Sequence, residues 1–173
     1  MIVTNRVFAA WNELPEAAAA AEILPCCGST RWAQQLAQAR PFAGEAELFD
    51  RSDAVWLRLD ASDWNEAFRS HPRIGERKAP PAATQRSAAW SDKEQSGISD
   101  SGAEVLTRLA EANRLYEERF GRIFLICATG KSAAEMLTIL ERRLENAPET
   151  ELLEAVEQQR RITQLRLRKW LHA

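Results

Sequence analysis

The sequence predicts an all-α fold, a single-domain compact bundle of about eight to nine helices over residues 1–173. Three observations predict it. Only seven glycines and one tyrosine occur, alternating runs of β-branched residues are nearly absent, and the long apolar patterns repeat at helical spacing. A chain of 173 residues is also long enough to bury most of the surface that its unfolded form exposes, so one core suffices.

The first helices are expected over Thr4 to Glu13, Pro15 to Leu24, Ser29 to Ala39, Glu45 to Leu59 and Ser62 to Ser70. Pro15 suits a helix start and Ser62 a cap. The alanine run Ala17 to Ala21 needs only good helix propensity. Ser91 to Gln95 is placed inside a further helix. The clearest pattern runs from Ser101 to Phe120: Leu106, Leu109, Asn113, Tyr116 and Phe120 fall on one face, with Ser101 and Glu104 in capping-box positions. After Lys131, Ala133, Met136, Leu137, Leu140 and Leu144 form an inner stripe, closed by Asn146-Ala147-Pro148. A last helix is expected from Glu149 to Trp170. Between these elements Ser70 to Pro81 is too rich in proline and glycine to be helical throughout, and reads as an ordered loop or a linker.

Composition narrows the function. Charged residues make up 28% and the net charge is -2, so no global field holds nucleic acid or anionic lipid; neither a nucleic-acid nor a membrane partner is expected. Three cysteines, two adjacent at Cys26 and Cys27, suit neither a disulfide framework nor a zinc site, and no metal is expected. The N-terminus lacks a basic region followed by an apolar run of signal length, no run reaches membrane-spanning length, and the last residues are not Ser-Lys-Leu. The expectation is a bacterial-type, cytoplasmic protein.

Four places could carry chemistry. His71 is one of two histidines, the other being His172 near the C-terminus, so it is the one well placed for proton transfer near neutral pH. Pro72 stiffens its corner by fixing its own φ and pushing His71 out of the helical region. Taken locally, such a histidine is more often a hydrogen bonder at a helix end. Ser91 and Glu94, three residues apart, share a helix face; a carboxylate beside an imidazole keeps it protonated, and Ser91 and Gln95 can hydrogen-bond an amide-like ring. The same five residues also fit a solvated polar face.

Arg166 has Ile162 and Trp170 one turn to either side on its helix face, which predicts partial burial and hence an anion, from a structural or a substrate carboxylate. Arg160, Arg161, Arg168 and Lys169 point elsewhere or sit at the helix end, where cations suit the dipole. Phe124 to Ser132 ends in Gly-Lys-Ser but is not a phosphate loop, because Leu125 stands where the first glycine is required. An extended apolar stretch entering a helix can instead offer backbone groups to a small planar ligand, with Ile126 packed on its face. A buried connection between helices fits equally well.

Taken in order, these segments resemble the 2-oxo-4-hydroxy-4-carboxy-5-ureidoimidazoline (OHCU) decarboxylase family. The resemblance lies in Ser70-His-Pro-Arg-Ile-Gly75, in Ser91 to Gly97, in Asn113-Arg-Leu-Tyr-Glu-Glu-Arg-Phe-Gly121 followed by Ile123 to Ala128, and in Arg161-Ile-Thr-Gln-Leu-Arg-Leu167, with Arg40-Pro-Phe42 adding to it. It implies a helical enzyme without cofactor that converts a urate-derived intermediate to (S)-allantoin and carbon dioxide. By the resemblance His71 is the catalytic histidine with Glu94 beside it. Pro72, Ser91 and Gln95 contact the substrate, Ile126, Cys127 and Ala128 offer the third binding segment, and Arg166 grips the substrate. After Ala128 the chain is shorter than in animal relatives. The partner implied is a small-molecule substrate, and relatives are often homodimers; six tryptophans could serve a core or an interface. Two other readings remain at this point: a non-catalytic helical interaction module, and a decarboxylase of a related ureido acid.

Overall fold

Residues 5–76, 80–98 and 101–173 are described by the computed structural model. Among them are nine α-helices and no strand: α1 (Arg6–Glu13), α2 (Glu16–Ile23), α3 (Thr30–Gln38), α4 (Glu45–Trp56), α5 (Ala61–Arg69), α6 (Gln85–Glu94), α7 (Ala103–Phe120), α8 (Ala133–Leu144) and α9 (Pro148–Leu171). The all-α expectation holds. No helix among the described residues is long and apolar enough to cross a membrane. The described residues divide into two compact units, those up to 67 with 160–173, and those from 68 to 159.

Tryptophans build the first unit. Trp11, Trp32, Trp56 and Trp170 are fully buried, and each of three indole N–H groups finds an acceptor: Ala19 O at 2.9 Å for Trp11, Ser52 O at 3.3 Å for Trp32, and Glu22 Oε1 at 3.0 Å for Trp170. Burial of so large a ring is favourable only when its polar edge is satisfied in this way. Trp170 meets Trp11 edge-on at 5.6 Å between ring centroids. These rings therefore serve the core.

Local capping sets several helix starts. Asn5 Oδ1 accepts from Val7 N at 2.9 Å to open α1, and Ser29 Oγ accepts from Trp32 N at 3.3 Å to open α3. At α5 the cap is Asp60 rather than the expected Ser62: Asp60 Oδ1 accepts from the backbone N–H of Ser62 and Asp63 and from the Ser62 hydroxyl. The hydroxyl and both N–H groups favour the charged form, which holds the Asp60 carboxyl below its ordinary value.

In the second unit α7 and α8 pack along the stripes read from sequence: Leu109, Tyr116 and Phe120 meet Met136, Leu137 and Leu140, with Phe124 and Ile126 in the same cluster. Each such side chain contributes roughly 1.5–3 kcal/mol on burial. Gly121 ends α7 at φ 66°, a left-handed position that favours glycine, and its N–H donates to Glu117 O. Ser132 and Glu135 form a capping box at the start of α8. The one expected at Ser101 and Glu104 does not form. Ser101 N donates to Ile98 O at 3.1 Å, so Ser101 belongs to the preceding turn, and α7 opens behind Gly102 without a side-chain cap. α8 ends at Leu144, just ahead of Asn146-Ala147-Pro148 as expected, and Pro148 also supplies the first residue of α9, where its missing N–H costs nothing.

Candidate active site

The site is built from the loop after α5. His71 N donates to Phe68 O at 3.2 Å as that helix ends, and Pro72 follows. Four contacts then fix the loop. Gly75, at φ 90°, donates its N–H to Gln95 Oε1 at 3.0 Å. Gln95 Nε2 reaches Arg73 O at 3.5 Å, and Asn113 Nδ2 donates to Ile74 O at 2.9 Å. The Arg73 guanidinium forks onto the Glu117 carboxylate, with Nη2 to Oε2 at 2.9 Å. Of the two readings of this segment, the ordered loop holds for residues 71–76; Arg77, Lys78 and Ala79 lie outside the described residues.

The second contributor is the C-terminal end of α6, opened by a Thr84–Ser87 capping box. Ser91 and Glu94 lie one turn apart on its buried face, 4% and 9% exposed, which overturns the solvated-face reading of these two. Gln95 is the residue that caps the helix rather than one inside it. That position frees its side chain to hold the His71 loop.

Between α7 and α8 the chain from Phe124 to Ala128 runs without helix, with Ile126 and Ala128 buried and Cys127 half-buried. Cys127 N donates to Gln158 Oε1 at 2.9 Å, and Lys131 Nζ donates to Cys127 O at 2.9 Å. At least at Cys127, then, both backbone groups are already satisfied. A Cβ on Gly97 would stand 2.3 Å from Lys131 O, so the turn after α6 and the turn before α8 touch through backbone.

His71 is 6% exposed, and its Nε2 lies 2.9 Å from Gln159 Oε1. Two adjacent glutamines of α9 thus hold two parts of the site, Gln159 the imidazole and Gln158 the Cys127 N–H. Sequence reading missed both. The signal was present: Gln159 stands three residues after Val156 and three before Ile162, on the same buried stripe that drew attention to Arg166.

Pro72, Gly75, Ser91, Gln95 and Ser96 line a cavity of about 410 Å³ in this unit. That is within the size range of small-ligand sites. A neighbouring cavity of about 390 Å³ has Arg73 and Arg114 on its rim, but both are engaged by glutamates, Arg73 by Glu117 and Arg114 by Glu111 and Glu118. The first cavity is therefore the better candidate.

Arg166 is the one expected site residue that belongs to the first unit. It is 0% exposed, more buried than the partial burial expected. Cys27 lies in the same unit, its thiol hydrogen-bonded to Thr163 and pushed up to about 12 by burial, with the Arg166 charge acting in the opposite direction. Arg160 pairs with Asp53 at 2.7 Å and Arg168 lies over the Phe49 ring, so these neighbouring cations are engaged apart from Arg166.

Residues 12–168 match the family model described as OHCU decarboxylase. The uric acid degradation bifunctional protein TTL of Arabidopsis thaliana is 36% identical over 83% of this chain, which spans only 44% of that protein's length. The mouse (Mus musculus) 2-oxo-4-hydroxy-4-carboxy-5-ureidoimidazoline decarboxylase is 30% identical over 88% of this chain and 82% of its own. A crystal structure of OHCU decarboxylase in the presence of (S)-allantoin superposes with a TM-score of 0.76 at 36% identity, covering 88% of this chain and 98% of the other.

Proposed function

Because the chain belongs to the OHCU decarboxylase family, we propose that it is a carboxy-lyase of urate degradation, releasing carbon dioxide from OHCU to form (S)-allantoin. In this reading residues 1–173 act as one domain, in keeping with a family match that spans residues 12–168. What most supports the reading is that residues of two resemblance segments, Pro72 with Gly75 and Ser91 with Gln95, line one cavity of ligand size.

The chemistry asks for little beyond orientation and one proton. As the carboxylate leaves as carbon dioxide, its bonding pair passes into the adjacent ring, drawn by the C=N bond. The ring nitrogen that receives the pair is protonated, the enol-like intermediate takes a proton on carbon, and its hydroxyl gives one up as it becomes the carbonyl of allantoin. Net, one proton is consumed for each carbon dioxide released. In this proposal His71, with Glu94 as its carboxylate companion, supplies that proton. Ser91 and Gln95 hydrogen-bond the planar ureido and ring groups, Pro72 and Ile126 pack on the ring, and the backbone of Ala128, with the second lone pair of the Cys127 carbonyl, fixes its face. Arg166 is assigned to the substrate carboxylate on the strength of the resemblance alone. The protein is further proposed to be cytoplasmic and a homodimer; a mass corresponding to the monomer in light scattering would refute the latter.

The test is the handedness of the allantoin formed when urate is oxidised and the hydroxyisourate hydrolysed in the presence of the protein, followed by circular dichroism. The expected result is rapid growth of the (S) signal, reduced roughly 10²- to 10⁴-fold in His71→Asn. A trace matching the uncatalysed racemic decay would overturn the reading.

A further inference from the structure

Within the second unit Gln159 is fully buried, and its Oε1 lies 2.9 Å from Nε2 of a histidine that is itself buried. An amide oxygen can only accept. The ring nitrogen facing it must therefore carry a proton, whether the imidazole is neutral or charged. We propose that Gln159 is the positioning residue of the site: by accepting from Nε2–H it fixes the tautomer of His71 and leaves Nδ1 as the nitrogen at which the ring takes up and releases its proton. In the imidazolium both nitrogens are protonated. When the Nδ1 proton is delivered to the intermediate, the ring returns to its neutral Nε2–H form with the bond to Gln159 intact. No rotation of the ring or of the amide accompanies the step. The reverse amide orientation would present N–H to Nε2, force the neutral ring to carry its proton on Nδ1, and make Nε2 the exchanging atom.

Gln158 adds to the assignment, because its own Oε1 holds Cys127 N at 2.9 Å. One turn of α9 thus carries the ring and part of the third binding segment on a common rigid support. Helix residues hold such geometry more tightly than loop residues do.

The destination of the proton rests on the decarboxylase reading above; the tautomer does not. The chain has two histidines, so ¹⁵N spectra of the imidazole rings in the full-length protein are simple, and His71→Asn assigns them. At alkaline pH the wild-type His71 ring is expected as the Nε2–H tautomer, and as a mixture in Gln159→Leu. That variant is expected to lose kcat by on the order of 10- to 100-fold, with KM within about twofold of wild type. A wild-type ring protonated on Nδ1 would overturn the proposal, and so would a folded Gln159→Leu with unchanged kcat. A loss of kcat in Gln159→Leu with the wild-type tautomer retained would also overturn it, by showing a merely structural effect. If the wild-type protein forms no (S)-allantoin, the functional reading fails separately, and the spectrum still decides what Gln159 does.

Discussion

In the second unit α9 carries two buried polar centres. Around Glu151 a full charge is taken out of water and surrounded: Arg143 donates through Nε at 2.9 Å and Nη2 at 2.5 Å, Asn146 Nδ2 at 2.8 Å, and the Tyr116 hydroxyl as well. Arg143 also donates to Leu125 O at 2.8 Å and lies over the Phe124 ring. Around His71, two turns further along α9, the partner on Nε2 is a neutral amide. The first arrangement matches a buried carboxylate to a buried guanidinium and anchors the start of the Phe124–Ala128 segment. The second holds a ring by one nitrogen through a neutral side chain. Burial alone therefore does not distinguish the two centres; the kind of partner does.

Four variants test this contrast. Glu151→Gln leaves the Arg143 guanidinium buried against a neutral amide, at a cost of roughly 3–5 kcal/mol. In thermal melts the midpoint should fall by roughly 10 °C, while activity per folded molecule below the transition stays near wild type. His71→Asn should do the reverse, keeping the melting point and losing turnover. If Glu151→Gln melts like wild type, or His71→Asn unfolds, the two centres are not divided as described.

Gly97→Ala should have an intermediate effect. Its Cβ would press on Lys131 O, a backbone atom that cannot swing aside, so the turn must shift. The expected loss is about 1–3 kcal/mol, with a raised KM because the displaced turn adjoins Ile126 to Ala128. An unchanged KM would separate that turn from substrate binding.

Tyr116→Phe should have the smallest effect, about 1–2 kcal/mol for one lost hydrogen bond. Burial, and then the bond to Glu151, raise the Tyr116 hydroxyl above its ordinary value. A group raised in the folded state gives its full stabilisation below its unfolded value, about 10 for tyrosine, and loses it as pH rises further. The stability difference between wild type and Tyr116→Phe should therefore be level from pH 6 to 9 and shrink above about 10. Denaturant titrations at several pH values would show it, and a difference that changes between pH 6 and 9 would refute the assignment.

Much of the candidate site was legible in the sequence because its signals are local. Pro72 and the helix-ending loop marked His71, the i, i+3 spacing paired Ser91 with Glu94, and Ile162 and Trp170 predicted that Arg166 is buried. The family resemblance supplied roles that spacing could not. What escaped were Gln158 and Gln159, whose partners stand 31 and 88 residues away in sequence. The cap at Ser101 failed for a related reason: its N–H had already been taken by Ile98 O in the preceding turn.

By itself the sequence determined the helical class, the core stripes of α7 and α8, and the candidate chemical groups, because helical periodicity and proline stereochemistry act over a few residues. Only the tertiary structure decided which glutamine holds the imidazole, that the buried Glu151 is an anchor rather than an acid, and that Gln95 ties the His71 loop to the end of α6. Those outcomes depend on which polar groups meet once water is excluded, and a hydrogen bond between residues far apart in the chain leaves no periodic trace in the sequence.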